Sequence, residues 1–282
     1  MKKLIFTIFS ISVVIWSGCS GGPKKLPTEI TFVKDFEAAK AEAAKAKKSM
    51  VIDFYTSWCD WCDTLDADTF KDSLIIDMSK DFVFVKVDGE ADSVMTQKFS
   101  VTGYPMVVIT KPDGQEIDRV QGYLSPADFY NQVQLYLQGR ETLEDYLTRL
   151  QDEPDNPDYL MTIGEKYLAR SDWQKAIEYY KRVLALDTDN KRNLGSRALK
   201  AIGEVYGSSK DYKSAIQTCK DIITRFPTSL EAEDAAAMIG YYTAQSGDEK
   251  EALALYREYL QKYPEGRNAW VQKRVADLEE KL

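Results

Sequence analysis

Two cysteines, Cys59 and Cys62, stand three residues apart around Asp60-Trp61. On a helix that spacing brings the sulfurs onto one face within a turn, where a disulfide can open and close. Such a pair can exchange electrons between thiol and disulfide, supply half of a zinc site, or form a structural disulfide that never turns over. Exchange needs a thiolate as attacker, and a helix start stabilises one through unpaired amide donors and the positive end of the helix dipole. Cys59, partly exposed at such a start, is then the nucleophile, and Cys62 is the resolving sulfur. Zinc fits poorly, because a closed site needs four ligands, mostly Cys or His. The chain has no histidine, and its other cysteines, Cys19 and Cys219, lie far off in different kinds of sequence. The same absence excludes a Ser-His-Asp triad, a Cys-His dyad and His-ligated metals.

The elements that must hold this pair can be read around it. Residues 36–48 are rich in Ala, Glu and Lys and predict a helix. Met50 to Tyr55 is an apolar run of strand length leading into Trp58-Cys59, and a helix is expected through Asp63–Phe70. Phe82 to Val87 reads as a second strand and Ala91 to Phe99 as a helix. Met106–Thr110 and Ile117–Gln121 flank Pro112-Asp113-Gly114, a hairpin signal. Ser125-Pro126 opens a last helix to about Leu137, with Ser125 as N-cap.

This order, with these residues, resembles the thioredoxin fold along roughly residues 28–140. Asp53-Phe54-Tyr55 precedes Trp58-Cys59 at the family's spacing, Cys59-Asp60-Trp61-Cys62 is its CxxC, Gly103-Tyr104-Pro105 stands where the family has a cis-proline, and Gly122 follows the hairpin. The resemblance implies a central mixed β-sheet flanked by helices. It implies that Asp53 is buried beneath the cysteines and exchanges a proton with the resolving one, that Pro105 is cis and turns the Tyr104 backbone toward substrate, and that Trp58 covers the edge of the site. Tyr104 before Pro105 is also similar to protein disulfide isomerase, but that family places a His between its cysteines, where Asp60-Trp61 stands here. Asp60, Asp63, Asp66 and Asp68 crowd the pair with negative charge, which disfavours the Cys59 thiolate and points to a reductant rather than an oxidant.

Upstream, Lys2 and Lys3 precede an apolar stretch from Leu4 to Trp16, too short for a stable membrane span and of the form of a secretory signal. It ends in Trp16-Ser17-Gly18-Cys19, which resembles a bacterial lipobox, although Trp16 stands where that pattern has an aliphatic residue. The resemblance implies lipidation at Cys19; the other reading is an ordinary signal cut near Gly18. Residues 19–28, with Gly21-Gly22-Pro23 and Pro27, read as a lipidated tether, and residues 20–29 reach ~35 Å if extended.

Downstream of the polar run Asp152–Asp158 the sequence repeats. Gly164, Gly203 and Gly240 are each followed twelve residues later by Ala176, Ala215 and Ala252, and four further on by Tyr180, Cys219 and Tyr256. This resembles tetratricopeptide repeats, and implies helix pairs stacked into a solenoid closed by a helix over Asn268–Leu282. The second function class, a helical scaffold with a residual redox domain, follows if the repeats carry the main role. Cys219 occupies an aromatic position and reads as a small buried apolar group. Glu165, Lys200, Glu204 and Tyr241 are expected on the concave face, where an extended peptide or a partner helix would lie.

The expected organisation is a signal at 1–18, the tether at 19–28, a thioredoxin-like α/β domain at 29–140, a linker helix and loop at 141–157, and an all-α tetratricopeptide-repeat solenoid with its capping helix at 158–282. A net charge of −8 argues against a nucleic-acid partner, which needs a basic footprint. The expected activity needs no cofactor. Its partners are disulfide-containing exported proteins, an upstream thiol donor and a membrane reached through the lipid, on the periplasm-facing side of a bacterial envelope.

Overall fold

The computed structural model describes residues 27–266 and 268–282. Residues 1–26, and with them the signal, Cys19 and most of the tether, lie outside the described residues.

Five strands form one sheet in the order β1-β3-β2-β4-β5, with β1 at Phe32–Val33, β2 at Ser49–Tyr55, β3 at Phe82–Asp88, β4 at Met106–Thr110 and β5 at Glu116–Gln121. β1 and β2 run parallel to β3, while β4 lies antiparallel to both β2 and β5. Strand β2 is central and covered on both faces, which explains why its interior is apolar apart from Asp53. Alternation sorts its side chains. Met50, Ile52 and Phe54 pack on α1 (Phe36–Ala46) and α4 (Ser93–Lys98). Val51 packs in the opposite cluster with Leu65, Phe70, Phe129 and Val133. Asp53 shares the parity of Val51, so the one charged residue of β2 belongs to the face of that second cluster.

Between β2 and β3 the sequence reading expects one helix from Asp63 to Phe70. The chain instead makes a short α2 (Asp60–Thr64), a π-helical turn over Leu65–Thr69 and then α3 (Ser73–Met78). The wider turn buries both Leu65 and Thr69, and the Thr69 hydroxyl donates to the Leu124 carbonyl at 2.6 Å. After the hairpin, α5 (Pro126–Leu137) starts on the Ser125 cap as its sequence dictates.

Eight helices follow: α6 (Leu143–Asp152), α7 (Pro157–Leu168), α8 (Trp173–Leu186), α9 (Leu194–Ser208), α10 (Tyr212–Arg225), α11 (Leu230–Gln245), α12 (Glu249–Lys262) and α13 (Asn268–Lys281). The helix read as a linker, α6, packs Leu143, Tyr146, Leu147 and Leu150 into the core of the stack. Each helix pair repeats one joint: a residue with positive φ (Ser171, Lys210 or Gly247) precedes an aspartate (Asp172, Asp211 or Asp248) that caps the second helix.

The stack is fastened to the outer strand of the sheet. Asp118 on β5, fully buried, accepts from the Leu143 backbone amide at 2.6 Å, from Lys166 at 3.0 Å and from Arg170 at 2.9 Å. Burial by itself would raise its carboxyl, but Arg170 and Lys166 outweigh that and hold it below the usual range. Arg119 reaches across to the Ala169 carbonyl at 2.9 Å, and Ser171 donates to the Ser100 carbonyl at 3.0 Å.

Two of the three repeat glycines, Gly164 and Gly240, are set by close approach. A Cβ on Gly164 would stand 2.4 Å from the ring of the fully buried Tyr180, whereas one on Gly203 would meet Thr218 at 3.4 Å, an ordinary contact. Gly164→Ala is therefore expected to cost about 1–3 kcal/mol from overpacking. Gly203→Ala should be neutral or gain up to about 1 kcal/mol of helix propensity. Urea unfolding of the two variants beside the parent checks the contrast; equal effects would contradict it.

Candidate redox site

Strand β2 ends at Tyr55, and four residues later Cys59 caps α2. Its Sγ accepts the Cys62 amide at 3.1 Å, so the sulfur takes one of the donors that a helix start leaves without a backbone partner. Cys59 and Cys62 are joined in a disulfide with Cα atoms 5.2 Å apart. Cys59 keeps only 6% of its surface, less than the partly exposed nucleophile the sequence suggests, because the disulfide folds its side chain back over the first turn. Exposure passes to its neighbours: Trp58 and Trp61 are 65% and 61% exposed.

Trp58 meets Tyr104 edge to face with centroids 6.0 Å apart, and its indole N–H donates to Glu90 at 3.0 Å. The Tyr104–Pro105 bond is cis. The Pro105 carbonyl accepts the amide of Gly122, whose φ of +81° is a conformation glycine adopts without strain. Thus Trp58, Tyr104 and Pro105 come together beside the cysteine pair, and Gly122 closes the same edge.

Asp53 lies on β2 with 1% exposure. Its register partner on β3 is Lys86, whose Nζ stands 3.3 Å from one carboxylate oxygen while also holding Asp66. The other oxygen has no hydrogen-bond partner. Burial drives the Asp53 carboxyl up to about 6; Lys86 pulls it down and Asp66 pushes it further up. Lys86 is itself disfavoured by burial but is raised on balance by Asp53 and Asp66. Sequence reading missed Lys86. The available signal was one cationic residue in the apolar run Phe82–Val87, at a position of the same strand parity as Phe84.

Of the acidic residues that crowd the pair, Asp66 is tied to Lys86 and Asp68 accepts from the Tyr123 hydroxyl. Asp60 and Asp63 remain in the first turn of α2, close to the sulfurs and opposed to a thiolate.

On the helical stack, Lys200 and Glu204 line a groove between α9 and α11, and Lys200 donates to Asp234 at 2.7 Å. Glu165 lies nearer the sheet, beside Asp118 and Arg119. Tyr241 differs from expectation: its ring packs on Tyr242 and Trp270, and those two rings line the groove. One residue is about 100° around a helix, so the register of the aromatic stripe decides which tyrosine faces inward.

Residues 31–112 match the thioredoxin-like family, and residues 163–194 and 237–266 match tetratricopeptide-repeat families. Among curated proteins, the chain is similar to a thiol:disulfide interchange protein DsbD of Campylobacter jejuni, 26% identical over 151 residues, or 47% of this chain and 26% of that protein. The DsbD of Pseudoalteromonas atlantica is 30% identical over 101 residues, or 34% of this chain and 17% of that protein. The chain thus spans about a quarter or less of the length of these relatives. Among solved structures, the DsbH oxidoreductase aligns with 44% of this chain and 94% of its own, at 16% identity and a TM-score of 0.37. Residues 31–112 thus form a thioredoxin-like domain carrying the cysteine pair, and both tetratricopeptide-repeat matches fall within the C-terminal helical stack.

The raised Asp53 carboxyl fixes the sign of a stability test. A carboxyl whose folded value lies above its unfolded one gives stability that is full below about 3.8 and lost as pH rises through about 6. In the oxidised protein, Asp53→Asn is therefore expected to gain about 2 kcal/mol at pH 8 and little at pH 4. Urea unfolding at the two pH values measures this, and an equal or opposite change would mean that Lys86 outweighs burial.

Proposed function

We propose that this chain is an exported, lipid-anchored reductant of disulfides in envelope proteins, with helical repeats that dock its clients. The observation carrying the reading is the Cys59 sulfur at a helix start, accepting an amide, beside exposed Trp58 and the Tyr104–Pro105 bond. In the reduced protein the Cys59 thiolate attacks a client disulfide; the client S–S bond breaks and one client sulfur leaves as thiolate. Asp53 accepts the Cys62 proton, and the Cys62 thiolate attacks the Cys59 side of the mixed disulfide. The second client sulfur is released. The client has gained two electrons, the protein holds the Cys59–Cys62 disulfide, and an upstream thiol donor restores the dithiol.

The direction rests on electrostatics. Asp60 and Asp63 offset the helix dipole that would stabilise the Cys59 thiolate, and a less stable thiolate makes a better electron donor. The membrane address rests on the lipobox-like Trp16-Ser17-Gly18-Cys19.

With dithiothreitol as donor, the protein is expected to accelerate insulin reduction, and Cys59→Ser to abolish the effect. A scaffold with a residual redox domain would show no acceleration. Equilibration against glutathione should give a potential below about −200 mV, whereas a value near −120 mV would reverse the direction. Asp53→Asn should slow turnover at least about tenfold. It should also remove the rise in rate that the parent shows as pH climbs through about 6.

Cys19→Ala should abolish incorporation of labelled fatty acid in cells. Mass spectrometry of a mature N-terminus at another, unacylated residue would sink the anchor.

A further inference from the structure

The second helix of each pair turns one side chain against the glycine of the first. In two pairs it is a tyrosine ring, Tyr180 on Gly164 and Tyr256 on Gly240, each so close that a glycine Cβ would stand 2.4 or 2.7 Å from it. In the middle pair the position is Cys219. Where that ring is missing lies a cavity of about 380 Å³, lined by Gly203, Cys219, Ile222, Met238, Tyr242 and Trp270 among others. The Cys219 thiol is pushed up to about 12, by burial first and by Glu204 second, so it packs as a small apolar group and does not ionise near neutral pH.

This cavity shares a rim residue with a second one that reaches the loop before the cis-proline. Glu204 on its rim also lines a second cavity of about 300 Å³, whose opposite wall is Thr102, Gly103 and Gln121. Gly103 adjoins Tyr104, and the Thr102 hydroxyl lies 3.0 Å from that of Ser171 between α7 and α8, so this loop and the stack form one surface. Glu204 stands in the field of Glu165. Among the described residues neither carboxylate makes a hydrogen bond or ion pair. Loss of water raises both, only partly offset by Lys200 for Glu204 and by Arg197 and Lys166 for Glu165. The Tyr180 hydroxyl, fully buried and without a hydrogen-bond partner, lies in the field of the same two carboxylates. Partly desolvated carboxylates beside an orphan hydroxyl favour a cationic group.

We propose that this groove holds the client segment next to the reacting cysteine, seating an aromatic side chain over Cys219 and a Lys or Arg beside Glu204 and Glu165. The occupant's class follows from the chain itself, because the equivalent place is filled by an aromatic ring in the first and third pairs. The charge follows from the two carboxylates, and the path from the second cavity, which shares Glu204 with the first and is walled by Thr102 and Gly103 next to the Tyr104–Pro105 bond. The assignment deepens the client-docking reading above and rests on Cys59 attacking a disulfide laid across that loop.

The test uses the full-length protein and synthetic disulfide peptides in which Phe or Ala, and Lys or Glu, are scanned along the positions flanking the cysteine. The reduced protein is expected to act on the best Phe–Lys peptide with a kcat/KM about tenfold above its Ala–Glu counterpart. Cys219→Tyr, which supplies the missing ring, should bring the Phe-to-Ala ratio to about one while raising the unfolding temperature; Cys219→Met is the second filler should the tyrosine not fold. Glu204→Lys should invert the Lys-to-Glu preference and keep the preference for Phe, a pattern that general damage to the fold does not produce. Serine-for-cysteine peptides, followed by fluorescence anisotropy on the oxidised protein, read the groove without turnover. A preference in binding with no reduction would leave the groove standing and sink the oxidoreductase cycle. Reduction of every peptide at one rate across the scan, or a Phe preference untouched in both folded Cys219 variants, would overturn the groove.

Discussion

The carboxylate of Asp118 is the joint on which the functional geometry depends. It is buried on the outer strand of the sheet and receives donors from α7, from the turn that follows it and from the start of α6. A buried ion cluster of this kind adds little to stability beyond what an apolar contact would give, because desolvation offsets most of the attraction. Its contribution is directional. An apolar interface could slide, whereas a carboxylate accepting from Leu143, Lys166 and Arg170 has few arrangements that leave no cation unmatched. That fixes the first repeat against Ser100 and Thr102, and hence against the cis-proline loop.

Around the cysteines, one face of β2 and β3 carries two opposite charges into an otherwise apolar sheet. Burial and Lys86 act on Asp53 in opposite senses, and burial prevails, which leaves the carboxyl near the pH where it can both take and return a proton. Asp66 enters this balance by sharing Lys86, so it weakens the hold of the lysine on Asp53. The acidic residues around the cysteines therefore act in two places: Asp60 and Asp63 flank Cys62 in the first turn of α2, while Asp66 bears on the buried Asp53–Lys86 pair.

The repeats illustrate how a stack of similar units acquires one distinct place. Glycine in each first helix allows a ring from the second helix to approach the backbone, and two of the three pairs use that space. The middle pair keeps the glycine and omits the ring, so the loss of packing is confined to one site on the inner wall and opens beside Glu204. Close packing elsewhere in the core keeps neighbouring side chains from collapsing into it.

Much of this was legible in the sequence because it depends on local chemistry. The cysteine spacing, the apolar strand before it, the Ser125-Pro126 helix start and the glycine–alanine period are short-range patterns, and the elements formed where those patterns stand. The burial of Cys219 followed from its place in the period. Other features were invisible for an equally physical reason. Lys86 reads as an ordinary strand charge until register sets it opposite Asp53, more than thirty residues earlier. The π-helical turn, the inward face of Tyr242 in place of Tyr241, and the packing of α6 into the stack depend on what each segment meets. Asp118, with nothing in its neighbourhood to mark it, becomes the joint between the two halves only when α7 arrives. The sequence by itself determined which elements form and which atoms can carry redox chemistry; the tertiary structure decided which charges lose their water and which partners they find, because desolvation and long-range pairing are properties of the packed chain.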